Sequence, residues 1–185
     1  MIVLGIDPSY TRTGLAVLHC GDIPGTERVV ATGALKTPAH LSDQDRCREI
    51  AEQCETWARS YGAEAVGIEN QYTGHLDKRV GLRLAALRSA IEQRLLEVLP
   101  SQAVAQVAPA QRQAALGVSC RLGRADVKRR VVEVVQRRYG LEVRSDEADA
   151  IGIGLAAWRL VRRGEKAEQL RMTLQAGRKR DCKRL

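Results

Sequence analysis

The chain opens on an apolar run, Ile2-Val3-Leu4-Gly5-Ile6, that breaks at Asp7-Pro8. A short apolar run closed by a turn residue reads as a buried strand. Thr13 to Leu18 gives a second strand and Arg28 to Leu35 a third, and the short turns between them suit an antiparallel meander. From Asp43 to Arg59 the period lengthens to that of a helix, with Ile50, Cys54 and Trp57 or Ala58 facing inward. Glu64 to Glu69 returns to a short strand, Arg79 to Leu99 to a long helix, and Ala103 to Ala108 to another strand. Strands alternating with helices in this half predict parallel crossovers. Helices over about Arg124 to Arg138 and Asp149 to Arg163 complete one domain over residues 1–163, and residues 164–185 read as a basic C-terminal tail.

Acidic residues stand at the edges of these apolar segments. Asp7 closes the first strand, Glu69 follows Ala65-Val66-Gly67-Ile68, and Asp146 and Asp149 lie at the mouth of the apolar helix Ala150 to Leu160. A carboxylate at the end of a buried strand is costly unless something pairs with it, and a divalent ion is the partner that converging carboxylates can share. Oxygen ligands with no accompanying His or Cys point to Mg²⁺ or Mn²⁺. Residues three apart on a helix face one place, so Asp146 and Asp149 point together while Glu147 points elsewhere. The plain alternative for this pair is an N-cap and a helical acid near the positive end of the helix dipole.

Composition adds a partner to this chemistry. Thirty Lys and Arg against 22 Asp and Glu give a net charge of +8, and that excess favours a polyanion. With carboxylates gathered for metal, the reaction this suggests is cleavage of a phosphodiester. Aromatic residues make up 3% of the chain and Phe is absent, so the core is built from Val, Ile, Leu and Ala. The five cysteines are scattered without zinc spacing, which points to a reducing cytoplasm. The first apolar run is too short for a signal peptide, and no stretch reaches membrane-spanning length.

The segment Gly5-Ile6-Asp7-Pro8-Ser9-Tyr10-Thr11-Arg12-Thr13-Gly14 resembles the opening of the RuvC-type Holliday junction resolvases. Ala65-Val66-Gly67-Ile68-Glu69, Leu82-Arg83-Leu84-Ala85-Ala86-Leu87-Arg88, Gly123-Arg124-Ala125-Asp126 with Lys128, and Asp146-Glu147-Ala148-Asp149-Ala150-Ile151-Gly152-Ile153-Gly154 are similar to family segments in the same order. The likeness implies an α/β, ribonuclease H-like fold. Its five-stranded mixed sheet has three antiparallel strands, then parallel ones, flanked by helices, and Asp7 and Glu69 lie side by side. It implies a structure-selective endodeoxyribonuclease that resolves four-way junctions with two Mg²⁺ or Mn²⁺ ions per active site. Asp7 would bridge both ions, Glu69 would hold one, and Asp146 with Asp149 would complete the site. Hydrolysis would leave a 5′-phosphate and a 3′-hydroxyl.

The same resemblance places Lys128 and Arg112 among basic residues lining the active site, with Arg124 in the basic segment beside them, and makes Tyr72 an aromatic wedge against bases at the junction centre. It implies a homodimer through helix 79–99, whose Ala85, Ala86, Ser89 and Ala90 would admit a partner helix. Ser9 and Tyr10 depart from the commonest pattern, and D-P-S with T-x-T-G resembles a phage-associated branch. A helicase partner is therefore open, as is the cytoplasm concerned: bacterial, or that of a phage host. Other readings are a ribonuclease H-like nuclease cutting RNA–DNA hybrids or flaps, a non-catalytic junction-binding module, and an actin-like or sugar-kinase ATP-binding protein. The last would need a longer chain and another glycine-rich loop.

Overall fold

The computed structural model describes residues 1–23, 25–38, 40–70, 78–119 and 123–181, with side chains from residue 165 onward and that of Arg124 outside the description. Strands β1 (Ile2–Asp7), β2 (Thr13–His19) and β3 (Arg28–Leu35) form the antiparallel meander. Helix α1 (Asp43–Ser60) leads to β4 (Ala65–Glu69), and α2 (Lys78–Leu96) leads through a 3₁₀ turn at Ser101–Ala103 to β5 (Val104–Val107). Helices α3 (Pro109–Leu116), α4 (Arg124–Tyr139) and α5 (Ser145–Asp181) follow. The sheet order is β3-β2-β1-β4-β5, with β4 parallel to both β1 and β5. This is the mixed sheet the sequence predicts, with β1 at its centre.

Side chains along β1 alternate between two cores. Leu4 and Ile6 join Leu15, Val17, Val66 and Ile68 against Ile50 and Cys54 of α1 and Leu87, Ile91 and Leu95 of α2. Val3 joins Ala16, Leu18 and Ala65 against α3, α4 and α5, where Ile151, Ile153 and Leu155 are fully buried. Period-two alternation then puts Asp7 on the α5 side with Val3 and Gly5, and Glu69 on that side with Ala65 and Gly67. Both candidate carboxylates thus leave the sheet toward the same helix.

Several boundaries differ from the sequence reading. The sequence pattern does not predict helix α3, because its eight residues carry too few apolar positions to show a period. Its readable sign was Pro109, which suits the first position of a helix. Helix α5 starts at Ser145 rather than Asp149, since its first turn is wholly polar, and its backbone continues past Arg163 to Asp181. Helix α2 ends at Leu96 rather than Leu99, and Val80, which matches the spacing of the buried stripe, is exposed. Cys54 is fully buried, as its spacing suggests, and Cys47 is half-buried with its thiol 2.9 Å from the Tyr10 hydroxyl. No helix among the described residues is long and apolar enough to cross a membrane.

The β2–β3 connection is tied to α4 by a buried ion pair. The Glu27 side chain is fully enclosed, accepts from the Gly25 N–H and lies 2.6 Å from Arg138 Nη2. Burial raises its pKa, but the Gly25 and Glu27 N–H groups and the Arg138 guanidinium outweigh burial and hold it below the usual carboxylate value. A depressed folded-state pKa stabilises above the unfolded value and is lost as pH falls through the folded one. Glu27→Ala should therefore cost about 2–3 kcal/mol at pH 7, below the roughly 3–5 kcal/mol of a fully buried pair, because the arginine it strands is partly exposed. Urea melts should show that cost shrinking in acid below about pH 4; a pH-independent cost would mean that packing, not charge, is lost.

Candidate metal centre

The candidate carboxylates come from the ends of β1 and β4 and the first turns of α5, and the structure brings all of them to one place. Ile6 of β1 is paired with Ile68 of β4, so Asp7 and Glu69 follow as neighbours on the parallel ladder. On the other side of Asp7 its cross-strand partner is Gly14. A Cβ on Gly14 would stand 2.1 Å from the carbonyl oxygen of Asp146, and one on Gly5 would stand 2.0 Å from that of Ala150. These glycines let the backbone of α5 rest directly on the sheet. That contact carries Asp146 and Asp149 to Asp7 and Glu69.

At the start of α5 it is Glu147 whose Oε2 accepts from the Arg144 N–H, at 2.8 Å. Asp146 shares the first turn, where a negative charge also suits the helix dipole, and it faces Arg12. Glu69 and Asp149 are buried, whereas Asp7 keeps a partial opening to solvent as a whole residue. Even so, the surroundings of the Asp7 carboxyl are dense. Burial first, then the charges of Glu69 and Asp149, raise its pKa well above the ordinary value against the opposing pull of Arg112. Burial likewise raises Glu69 and Asp149, with Arg112 again opposing.

Two arginines lie among these acids. Arg112 Nη1, from the first turns of α3, is 2.8 Å from Glu69 Oε1 and 3.2 Å from Asp149 Oδ2. Arg12 Nε, from the β1–β2 turn, is 2.9 Å from Asp146 Oδ2. Distance is not alignment, however: Glu69 Oε1, Arg112 Nε and Arg12 Nε are buried without a hydrogen bond of acceptable geometry. In the sequence Arg12 stands out only as part of the opening motif, since no spacing rule links a turn arginine to a distant helix. Arg112 was expected beside the active site, and its direct contact with two of the acids was not.

Lys128 is exposed on α4, close enough that its charge lowers the Asp149 pKa. Arg124 opens α4, with its side chain outside the description, and Tyr72 lies outside the described residues altogether. No group of three or more carboxylate, His or Cys side chains among the described residues is arranged to hold a metal ion as it stands. The donor chemistry nevertheless fits a hard cation. The candidates are all oxygens, those of Asp7, Glu69 and Asp149 are desolvated, and one buried carboxylate oxygen lacks a hydrogen bond.

A mixed sheet of this order, with acids collected where the last helix meets its central strands, marks a metal-dependent nuclease of ribonuclease H-like fold. The family model for crossover junction endodeoxyribonuclease RuvC matches residues 3–157. The chain is 34% identical to the protein of that name from Frankia alni over 163 residues, covering 86% of this chain and 79% of that one. It is 31% identical to the Saccharopolyspora erythraea protein over 172 residues, covering 91% and 82%. RuvC from Thermus thermophilus, 24% identical, superposes with a TM-score of 0.71 over 89% of this chain and 97% of that one. The chain belongs to the RuvC family of crossover junction endodeoxyribonucleases.

Proposed function

We propose that the chain cuts four-way DNA junctions by hydrolysis at a centre formed by Asp7, Glu69, Asp146 and Asp149. The observation that carries this reading is the meeting of these acids, from three separate elements, with burial penalising the charge of Asp7, Glu69 and Asp149. Bringing like charges together out of water is destabilising unless cations join them. The set would hold two divalent ions, Mg²⁺ or Mn²⁺. When bound, such ions supply Lewis acidity to the scissile phosphate and make water a competent nucleophile near neutral pH.

The chain's own groups supply the rest. Asp7, on the central strand between the acids of β4 and α5, is the ligand best placed to be shared. Lys128 is exposed beside the acids and would draw a phosphate toward them as a mobile point charge. Arg124 at the start of the same helix would extend that basic surface, Tyr72 would stack on an unpaired base, and the basic segment from Gly164 would lengthen the contact with DNA. Hydrolysis at this centre would leave a 5′-phosphate and a 3′-hydroxyl.

A pair of such sites suits a two-fold substrate, and α2 offers the surface for pairing. Its inner face is spent on Leu87, Ile91 and Leu95, while Leu82 and Leu96 are exposed in line with Ala86 and Ser89. Small residues between apolar ends let a second helix approach closely, so we place the homodimer there.

A synthetic four-way junction offered beside linear duplex, flap and RNA–DNA hybrid, with Mg²⁺ or Mn²⁺, tests the reading. Paired, symmetric nicks on the junction are expected. Preferential cutting of hybrid or flap would reassign the substrate, and metal-dependent binding without cutting would leave a junction-binding module.

A further inference from the structure

Arg112 holds two of the acids that the proposed centre needs. Its side chain is 11% exposed, its Nη1 is 2.8 Å from Glu69 Oε1 and 3.2 Å from Asp149 Oδ2, and the facing side chains are 6% and 9% exposed. Mg²⁺ binds carboxylate oxygen at roughly 2.0–2.1 Å. A guanidinium nitrogen at hydrogen-bond distance from both carboxylates fills the space into which those oxygens would direct a cation. An arginine does not lose its proton in a protein, so it has to move rather than neutralise.

The contact is also built to be given up. Gly152 of α5 leaves the room that the Arg112 stem occupies, since a Cβ there would stand 2.8 Å from Arg112 Cγ and 2.7 Å from Leu116 Cδ1. Helix α3 behind the stem is held by Arg159, which donates to the carbonyls of Ala114 and Ala115. The stem is thus packed on both sides, while the head is held by charge more than by aligned hydrogen bonds: Arg112 Nε and Glu69 Oε1 are both buried without one. Charge attraction without aligned donors is the weaker, exchangeable form of a guanidinium–carboxylate contact.

We propose that Arg112 is an internal counter-cation of the metal-free centre, which competes with the divalent ion for Glu69 and Asp149 and must withdraw before that ion seats. This rests on the reading of the centre given above and adds a residue that sets its metal affinity. Withdrawal leaves the guanidinium beside the acids with its stem still anchored over Gly152, free to take a phosphate oxygen in their place.

Calorimetric titration of Mn²⁺ into the full chain without DNA tests it, comparing wild type, Arg112→Gln, Arg112→Lys and Asp7→Asn. Removing the competitor should tighten Mn²⁺ binding roughly tenfold in Arg112→Gln, with Arg112→Lys closer to wild type because its ammonium keeps the competing positive charge. A folded Arg112→Gln that binds Mn²⁺ no more tightly than wild type overturns the proposal. A second measurement needs no loss of charge. In wild type titrated with Mg²⁺, the Arg112 Nε–Hε NMR signal should shift along the same isotherm as metal binding, and a signal unmoved at saturation overturns the proposal even if the glutamine variant does not fold. The underlying reading is separated by Asp7→Asn. Binding that depends on Asp7 but ignores position 112 removes only the competition, whereas binding indifferent to Asp7 removes the centre and the competition together.

Discussion

Asp7→Asn is expected to lower junction cleavage on the order of a thousandfold, the upper end of what losing one preorganised electrostatic partner costs, and at the same time to make the metal-free protein more stable. The two effects have one cause. The Asp7 carboxyl is desolvated and faces Glu69, Asp149 and Asp146, so its charge is held at a cost that only cations offset. Asn keeps the shape and removes the charge. Replacing a buried charge by a neutral group of similar volume is neutral to stabilising, here by about 1 kcal/mol. The sign with pH follows from linkage. A carboxyl whose folded-state pKa is raised stabilises below its unfolded value and loses that contribution as pH rises through the folded value.

Asp7, Glu69 and Asp149 are all raised. Metal-free wild type should therefore lose stability as pH climbs out of the carboxylate range, from about 4 upward, and Asp7→Asn should flatten that fall. Denaturant melts in chelator across this interval would show it. A variant that keeps near-normal cleavage, or a metal-free stability that Asp7→Asn lowers, would remove Asp7 from the charged centre.

Gly5→Ala is expected to cost about 3 kcal/mol or more, at the high end for overpacking, and to depress cleavage further than the loss of folded protein explains. The added Cβ would meet the carbonyl oxygen of Ala150 at 2.0 Å and the Gly154 nitrogen at 2.6 Å. Neither is the movable end of a side chain, so α5 must lift from β1. Asp146 and Asp149 ride on the helix that lifts, and a small displacement of ligands costs catalysis before it costs folding. Thermal melts beside cleavage by the folded fraction measure the two parts. A loss under about 1 kcal/mol would mean that α5 does not sit this close to the sheet.

What could be read in advance divides along physical lines. Strands β1, β2 and β4 and helix α1 were legible because each buries one continuous run or stripe, and burial writes periodicity into the sequence. The acids at their ends stood out because they interrupt apolar segments. Helix α3 and the first turn of α5 were not legible, since a short helix and a polar turn owe their place to tertiary contacts rather than to a period. Arg12 and the pairing of Arg112 with Glu69 and Asp149 depend on segments far apart in the chain. The seating of α5 did leave a trace. Gly5 and Gly67, opposite each other on β1 and β4, interrupt apolar strands where a backbone approaches closely.

The seating of α5 also divides the ways in which this molecule can change over generations. At Gly154 the obstacle to a larger residue is Leu18 Cδ1, at 2.2 Å, and a shorter side chain at position 18 could make room. At Gly5 and Gly14 the obstacle is a carbonyl oxygen of the main chain. Main-chain atoms are the same in every amino acid, so no second substitution can trim them. Lineages descended from this chain can drift around Gly154 by paired exchanges, while Gly5 and Gly14 offer no compensated route and their drift ends where it begins.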